Sequence, residues 1–292
     1  MTVRFVALGD SITVGLGDPL PDRTWRGWAA LLAEALGPPG GVAFHNLAQV
    51  GALSRDVAHD QLPRALALEP TIAAVLVGVN DTLRGTFAVD QVGHNLRAVV
   101  DALIRAGAVV LTARLPDPGR MFTLPGSLAR PLARRVTAVN AIADGLAARF
   151  STVHFDADNH ADTYQPAMWS VDRLHPSERG HRMLARAFAE LLAARGFPVH
   201  AVPGAEPTNR PPSRVAQAAW LATRGTKWVL DRSTDLLPSL IALAAAEWWH
   251  QRRGTARRLD EHLRHEVARV LAGLDPASAA CDDILTFRNG LA

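Results

Sequence analysis

The 292 residues suffice for one generous core, or for one core with a small appendage. A hydrophobic fraction of 48% with 20% charged residues excludes disorder for most of the chain. The net charge is only +3, acids are interspersed with arginines, and Lys227 is the single lysine. The high isoelectric point is therefore an arginine effect and argues against a nucleic-acid partner. One cysteine, Cys281, excludes an intramolecular disulfide and a multi-cysteine metal site, and fits a reducing compartment. Residues Met1–Leu8 lack the charged start and cleavage site of a secretory signal, so a cytoplasmic location is expected.

Taken in chain order, short apolar runs alternate with longer helical patterns. Strands are predicted at Val3–Leu8, Val42–Ala48, Ile72–Val77, Ala108–Ala113 and Thr152–Phe155, with the continuous hydrophobicity of strands covered on both faces. Helices are predicted at Trp25–Leu36, Ser54–Leu68, Val89–Ala106, Pro131–Phe150 and Ser177–Arg195, with Asp90 and Ser177 as caps. The repeat implies a three-layer α/β/α sandwich around a five-stranded parallel sheet, flavodoxin-like, with strand order 2-1-3-4-5.

Near His200 the composition changes, and residues 201–212 read as a proline-rich linker. Residues 1–200 form the expected catalytic domain and 213–292 a C-terminal α-helical extension, with helices at Ser213–Arg224, Leu236–Arg253 and Thr255–Ala272. The tail tryptophans, Trp220, Trp228, Trp248 and Trp249, are expected to pack on the catalytic domain or on another subunit. Contact with a membrane surface is the alternative, since the apolar stretch is too short to span one.

Chemistry concentrates where strands end. Gly9-Asp10-Ser11 follows the first strand, Asn46-Leu47-Ala48-Gln49-Val50-Gly51 the second, and Gly78-Val79-Asn80-Asp81 the third. In the order 2-1-3 these ends converge on one crevice, the usual ligand site of an open parallel sheet. Asp172-Arg173-Leu174-His175-Pro176 closes a long connector after the fifth strand. A serine hydroxyl needs an imidazole to take its proton, and the imidazole needs a carboxylate to fix its tautomer. Among the histidines near this block, His154, His160, His175 and His181, only His175 has an aspartate three residues before it.

These four blocks in this order resemble those of the GDSL/SGNH hydrolases over roughly residues 3 to 196. The resemblance implies Ser11 as nucleophile, His175 as general base and Asp172 as its partner. It implies an oxyanion hole from the Ser11 and Gly51 backbone N–H groups and the Asn80 amide, and ester hydrolysis without metal or organic cofactor. The substrate would be a lipid, an acetylated sugar or a small ester. Transfer to an acceptor other than water, or thioester hydrolysis, uses the same residues, and a non-catalytic assembly protein is the remaining alternative.

Gly15-Leu16-Gly17 fails as a dinucleotide fingerprint because Pro19 and Leu20 break the spacing. Neither a Gly-x-Ser-x-Gly elbow nor a His-Glu-x-x-His zinc motif occurs, and His262 and His265 read as a solvated helix face. Met121, Phe122 and Leu124, within an expected loop from Leu115 to Arg130, are candidates for holding an acyl chain.

Overall fold

Apolar runs lacking any polar alternation must be shielded on both sides. In the computed structural model, which describes residues 3–122, 124–209 and 236–274, they form a single parallel sheet. Its strands are β1 (Val3–Gly9), β2 (Val42–Asn46), β3 (Ile72–Leu76), β4 (Val109–Ala113) and β5 (Val153–Phe155), in the order β2-β1-β3-β4-β5. Along β1, Phe5 and Ala7 point into one core while Val6 and Leu8 point into the other. Helices α2 (Gly27–Leu36) and α9 (Glu178–Ala194) cover the first face through Trp28, Leu32, Leu184 and Phe188. The second face lies under α6 (Val89–Arg105) and α8 (Gly126–Phe150), through Val99, Leu103, Val139 and Ile142.

Short helices sit at the strand ends: α1 (Ser11–Val14), α3 (Ser54–Asp56), α4 (Leu62–Ala67), α5 (Val79–Leu83) and α7 (Pro118–Phe122). The helix expected over 54–68 is interrupted between α3 and α4 by a π turn, Val57–Gln61. Pro63 has no N–H to donate four residues back, and the wider turn precedes it. Ser177 caps α9 by accepting from the Gly180 N–H, but Asp90 does not cap α6. Ala88 occupies that position, and the Asp90 carboxylate accepts from Gln91 inside the first turn. Helix α8 begins at Gly126, with Pro131 inside it, so the expected loop from Leu115 to Arg130 holds α7 and the start of α8.

Residues 201–209 have no regular structure, yet they are strapped to α9. Arg182 and Arg186 donate to the carbonyls of Gly204 and Pro203, and Thr208 and Asn209 donate to the Glu178 carboxylate. Two tail helices follow, α10 (Leu237–Arg252) and α11 (Ala256–Ala272); the expected helix at 213–224, with Trp220 and Trp228, lies outside the described residues. Leu263, Val267, Val270 and Leu271 of α11 join the core beneath α6 and α8, and Arg97 donates to the Gly273 carbonyl. Trp248 and Trp249, expected on the catalytic domain or on another subunit, are about half exposed in the single chain, and the apolar residues of α11 take the seat on the core. Among the described residues no helix is long and apolar enough to cross a membrane.

The seat is cut by glycines: a Cβ on Gly93 would overlap Val270, and one on Gly145 would overlap Leu271. Alanine in place of a mid-helix glycine ordinarily gains about 1 kcal/mol. At Gly93 the β-branched Val270 cannot swing aside, and overpacking of this kind costs about 1–3 kcal/mol. Gly93→Ala is therefore expected to lower the thermal midpoint, where propensity alone would raise it.

Candidate active site

The first strand ends in a glycine for a steric reason. Gly9 has φ +147°, and a Cβ there would collide with the Leu76 carbonyl of β3. Gln61, fully buried at the end of the π turn, accepts from the Gly9 N–H at 2.8 Å and donates to its carbonyl at 2.9 Å. The chain then turns at once into α1, where the Asp10 carboxylate accepts from Ile12 N at 3.0 Å. Ser11 heads this one-turn helix at the carboxyl edge of the sheet.

The last block is a tight excursion between Trp169 and Pro176, which face each other as an antiparallel bridge. Arg173 at its tip adopts φ +58°, uncommon for a residue with a side chain and seen mostly where the surroundings demand it. Asp172 organises the turn: its Oδ1 accepts from Ser170 Oγ (2.6 Å), Leu174 N (2.9 Å) and His175 N (3.0 Å). Its Oδ2 faces His175 Nδ1 at 2.7 Å, and His175 Nε2 lies 2.9 Å from Ser11 Oγ. With the carboxylate ionised, Nδ1 carries the proton and Nε2 is free to accept from the serine hydroxyl. Burial opposes ionisation of Asp172, but hydrogen bonds from His175 and Ser170 hold its pKa at about 2.

The remaining blocks are drawn together by side-chain tethers. Gly51, φ +79°, sits in the turn after β2, and Asn80 Nδ2 donates to the next residue's carbonyl, Ala52 O, at 3.1 Å. Asp81 accepts from Ser54 N at 3.0 Å and from Ser54 Oγ at 2.7 Å, and Asn95 donates to that Oγ at 3.1 Å. The turn bearing Gly51 is thus tied to the helix bearing Asn80. Burial pushes the Asp81 carboxyl upward despite these donors.

Asp10 is almost wholly buried between these groups, its Oδ2 3.5 Å from Asn80 Nδ2. Burial raises its pKa from 3.8 to about 6, with the Ile12 N–H and the nearby His175 pulling the other way. The folded protein therefore binds the extra proton between those two values, and Asp10 costs stability as the pH rises through them. At about 1.4 kcal/mol per pKa unit, Asp10→Asn should gain up to about 3 kcal/mol relative to wild type between about pH 4 and pH 7. Denaturant melts across that range check the difference.

His181, one of the bystanders in the sequence, is fully buried and structural: Trp28 N donates to its Nδ1 at 3.2 Å, and its Nε2 donates to Leu16 O at 2.9 Å. Burial lowers its pKa to about 4. His154 lies away from Ser11, between Thr112 and Asp144.

Two spaces adjoin the site. A small apolar cavity of about 70 Å³ is lined by Ile12, Leu115, Met168, Trp169, Pro176 and Met183. An open polar groove of about 400 Å³ runs past Gly51, Arg55, Asp56, Arg84 and Gly85 to Ser239 of α10. Met121 and Leu124 line neither space, and the Phe122 side chain lies outside the described residues. Met121 and Phe122 close helix α7, which packs along α8 with Gly119 against Ala129, and Leu124 follows it. The apolar residues beside the histidine include Leu115, at the head of the expected loop, and Met168 and Trp169 from the connector after β5, whose length was the available signal.

Comparison with known proteins places the chain in a family. The family model of the GDSL-like lipase/acylhydrolase family matches residues 7–183, and the chain belongs to that family of carboxylic ester hydrolases. No curated protein sequence matches the chain. Among solved structures, it is similar to the acetylxylan esterase Axe2 of Geobacillus stearothermophilus, at 21% identity and TM-score 0.52, covering 66% of this chain and 96% of that one. It is also similar to LAE5, an alpha/beta hydrolase enzyme from the metagenome of Lake Arreo, Spain, at 22% identity and TM-score 0.53, covering 67% and 95%. These two likenesses carry the fold.

Proposed function

We propose that this protein cleaves carboxylic esters through an acyl-enzyme on Ser11. The observation that carries the reading is the unbroken chain from Asp172 through His175 to Ser11, at 2.7 and 2.9 Å. Ser11 Oγ attacks the ester carbonyl as its proton passes to His175 Nε2, and the imidazolium is stabilised by Asp172. The Ser11 and Gly51 N–H groups and the Asn80 amide receive the oxyanion, and His175 then protonates the departing alcohol. Water, deprotonated by the same imidazole, releases the acid. Asn80 suits its part because its amide is neutral and already oriented by Ala52 O.

Lipid, acetylated sugar and small activated ester are the proposed substrate classes, and a reducing, cytoplasmic setting, supported by the single cysteine, belongs to the same proposal. Hydrolysis of p-nitrophenyl esters of increasing acyl length, beside a lysophospholipid and acetylated xylan, tests it. Turnover of at least one that disappears in Ser11→Ala supports the reading, and no turnover of any overturns it. Asn80→Ala is expected to lower kcat by about 100- to 1,000-fold with little change in KM, the signature of a donor used mainly in the transition state.

A further inference from the structure

Helix α10 divides cleanly by residue. Ser239, Leu240, Leu243 and Glu247 turn toward the protein; the outward half presents Leu237, Ile241, Trp248 and Trp249 with alanines between them. Those four large side chains are 47%, 59%, 48% and 49% exposed. An outward helix half is ordinarily charged or polar, so this one is inverted. Its only acid, Glu247, is buried against Arg134 and takes no part in the surface.

The apolar stripe ends in cations. Arg252 and Arg253 stand over the Trp248 and Trp249 rings, at 4.4 and 4.2 Å from their centroids, and Arg257 and Arg258 are exposed just beyond the turn at Gly254. A guanidinium on an indole face keeps its outer N–H groups for phosphate oxygens, while the ring is free to enter the acyl boundary. Sixteen residues give a helix about 24 Å long, which suits lying in an interface and not crossing it.

We infer that α10 docks this protein flat on an anionic lipid surface, with Leu237, Ile241, Trp248 and Trp249 inserted and Arg252, Arg253, Arg257 and Arg258 on the headgroup phosphates. Charge decides between this occupant and a second copy of the chain: another copy brings the same cations, whereas the bilayer supplies the missing anions. The opposite half of the helix places Ser239 on the groove that passes Gly51, so the docked helix would stand between that groove and the lipid. The family match ends at residue 183, so this surface is an addition to the family's catalytic unit.

The test is sedimentation of the full chain with vesicles of phosphatidylcholine alone and of phosphatidylcholine mixed with phosphatidylglycerol. Binding to the mixed vesicles, weakened at least about tenfold by Trp248→Ser with Trp249→Ser and by Arg252→Glu with Arg253→Glu, supports the inference. Ile241→Ser, a milder change, should weaken it in the same direction. Unaltered melting of the variants shows that the fold is intact. Absence of binding, binding that ignores these substitutions, or a dimer in solution that the tryptophan substitutions dissolve would each overturn it.

Discussion

Ser11→Ala is expected to reduce ester turnover by about 10⁴-fold or more while leaving the thermal midpoint within about a degree of wild type. The size follows from the absence of a substitute: the hydroxyl is the atom 2.9 Å from the imidazole that is itself braced by Asp172. The small structural cost follows from position. Ser11 lies in the first turn of α1, where its backbone geometry is set by Gly9 and by the Asp10 carboxylate, neither of which the substitution touches. Burst kinetics with p-nitrophenyl acetate would add the covalent intermediate, and an unchanged rate in Ser11→Ala would place the nucleophile elsewhere.

Asp172→Asn is expected to lower kcat by about 10⁴-fold with the loop intact. An asparagine oxygen can still accept from Ser170, Leu174 N and His175 N, the three donors that Oδ1 now satisfies. Its NH₂ group would then face Nδ1 and favour the tautomer with Nδ1 unprotonated, leaving Nε2 a donor unable to take the serine proton. Asp172→Ala should differ by also lowering the thermal midpoint, since it strands those three donors. Comparing kcat and melting for the pair separates the electronic role of the carboxylate from its role as the keystone of the turn. Because hydrogen bonding holds Asp172 at about pKa 2, its ionisation should leave no mark on the wild-type rate profile above about pH 4.

The sheet and the residues of the Asp172–His175–Ser11 hydrogen-bond chain were legible because each depends on local signals: apolar runs for strands, and short motifs at strand and connector ends. The order β2-β1-β3 then brings the ends that carry Ser11, Gly51 and Asn80 side by side. The Gln61 tether was not legible, because Gln61 lies in a segment that reads as ordinary helix and only the folded chain brings it to Gly9. The π turn and the early start of α8 share a cause: a proline ordinarily marks the first turn of a helix, whereas Pro63 follows a helical stretch and Pro131 lies inside one. Helix α10 is a different case. With apolar residues on both halves, its sequence does not say which half faces inward, and α11 supplies the apolar residues that complete the core.

The paired hydrogen bonds between Gln61 and Gly9 have a mechanical meaning. A strand held only by its neighbours can slip in register, and one residue of slip would carry the hydroxyl of Ser11 roughly 3.3 Å along the sheet, beyond reach of the imidazole. A single amide, reading donor and acceptor of one residue at once, fits only one setting of β1. The height of the nucleophile is thus indexed from the π turn in the crossover between β2 and β3, as a detent fixes the stop of a sliding bolt.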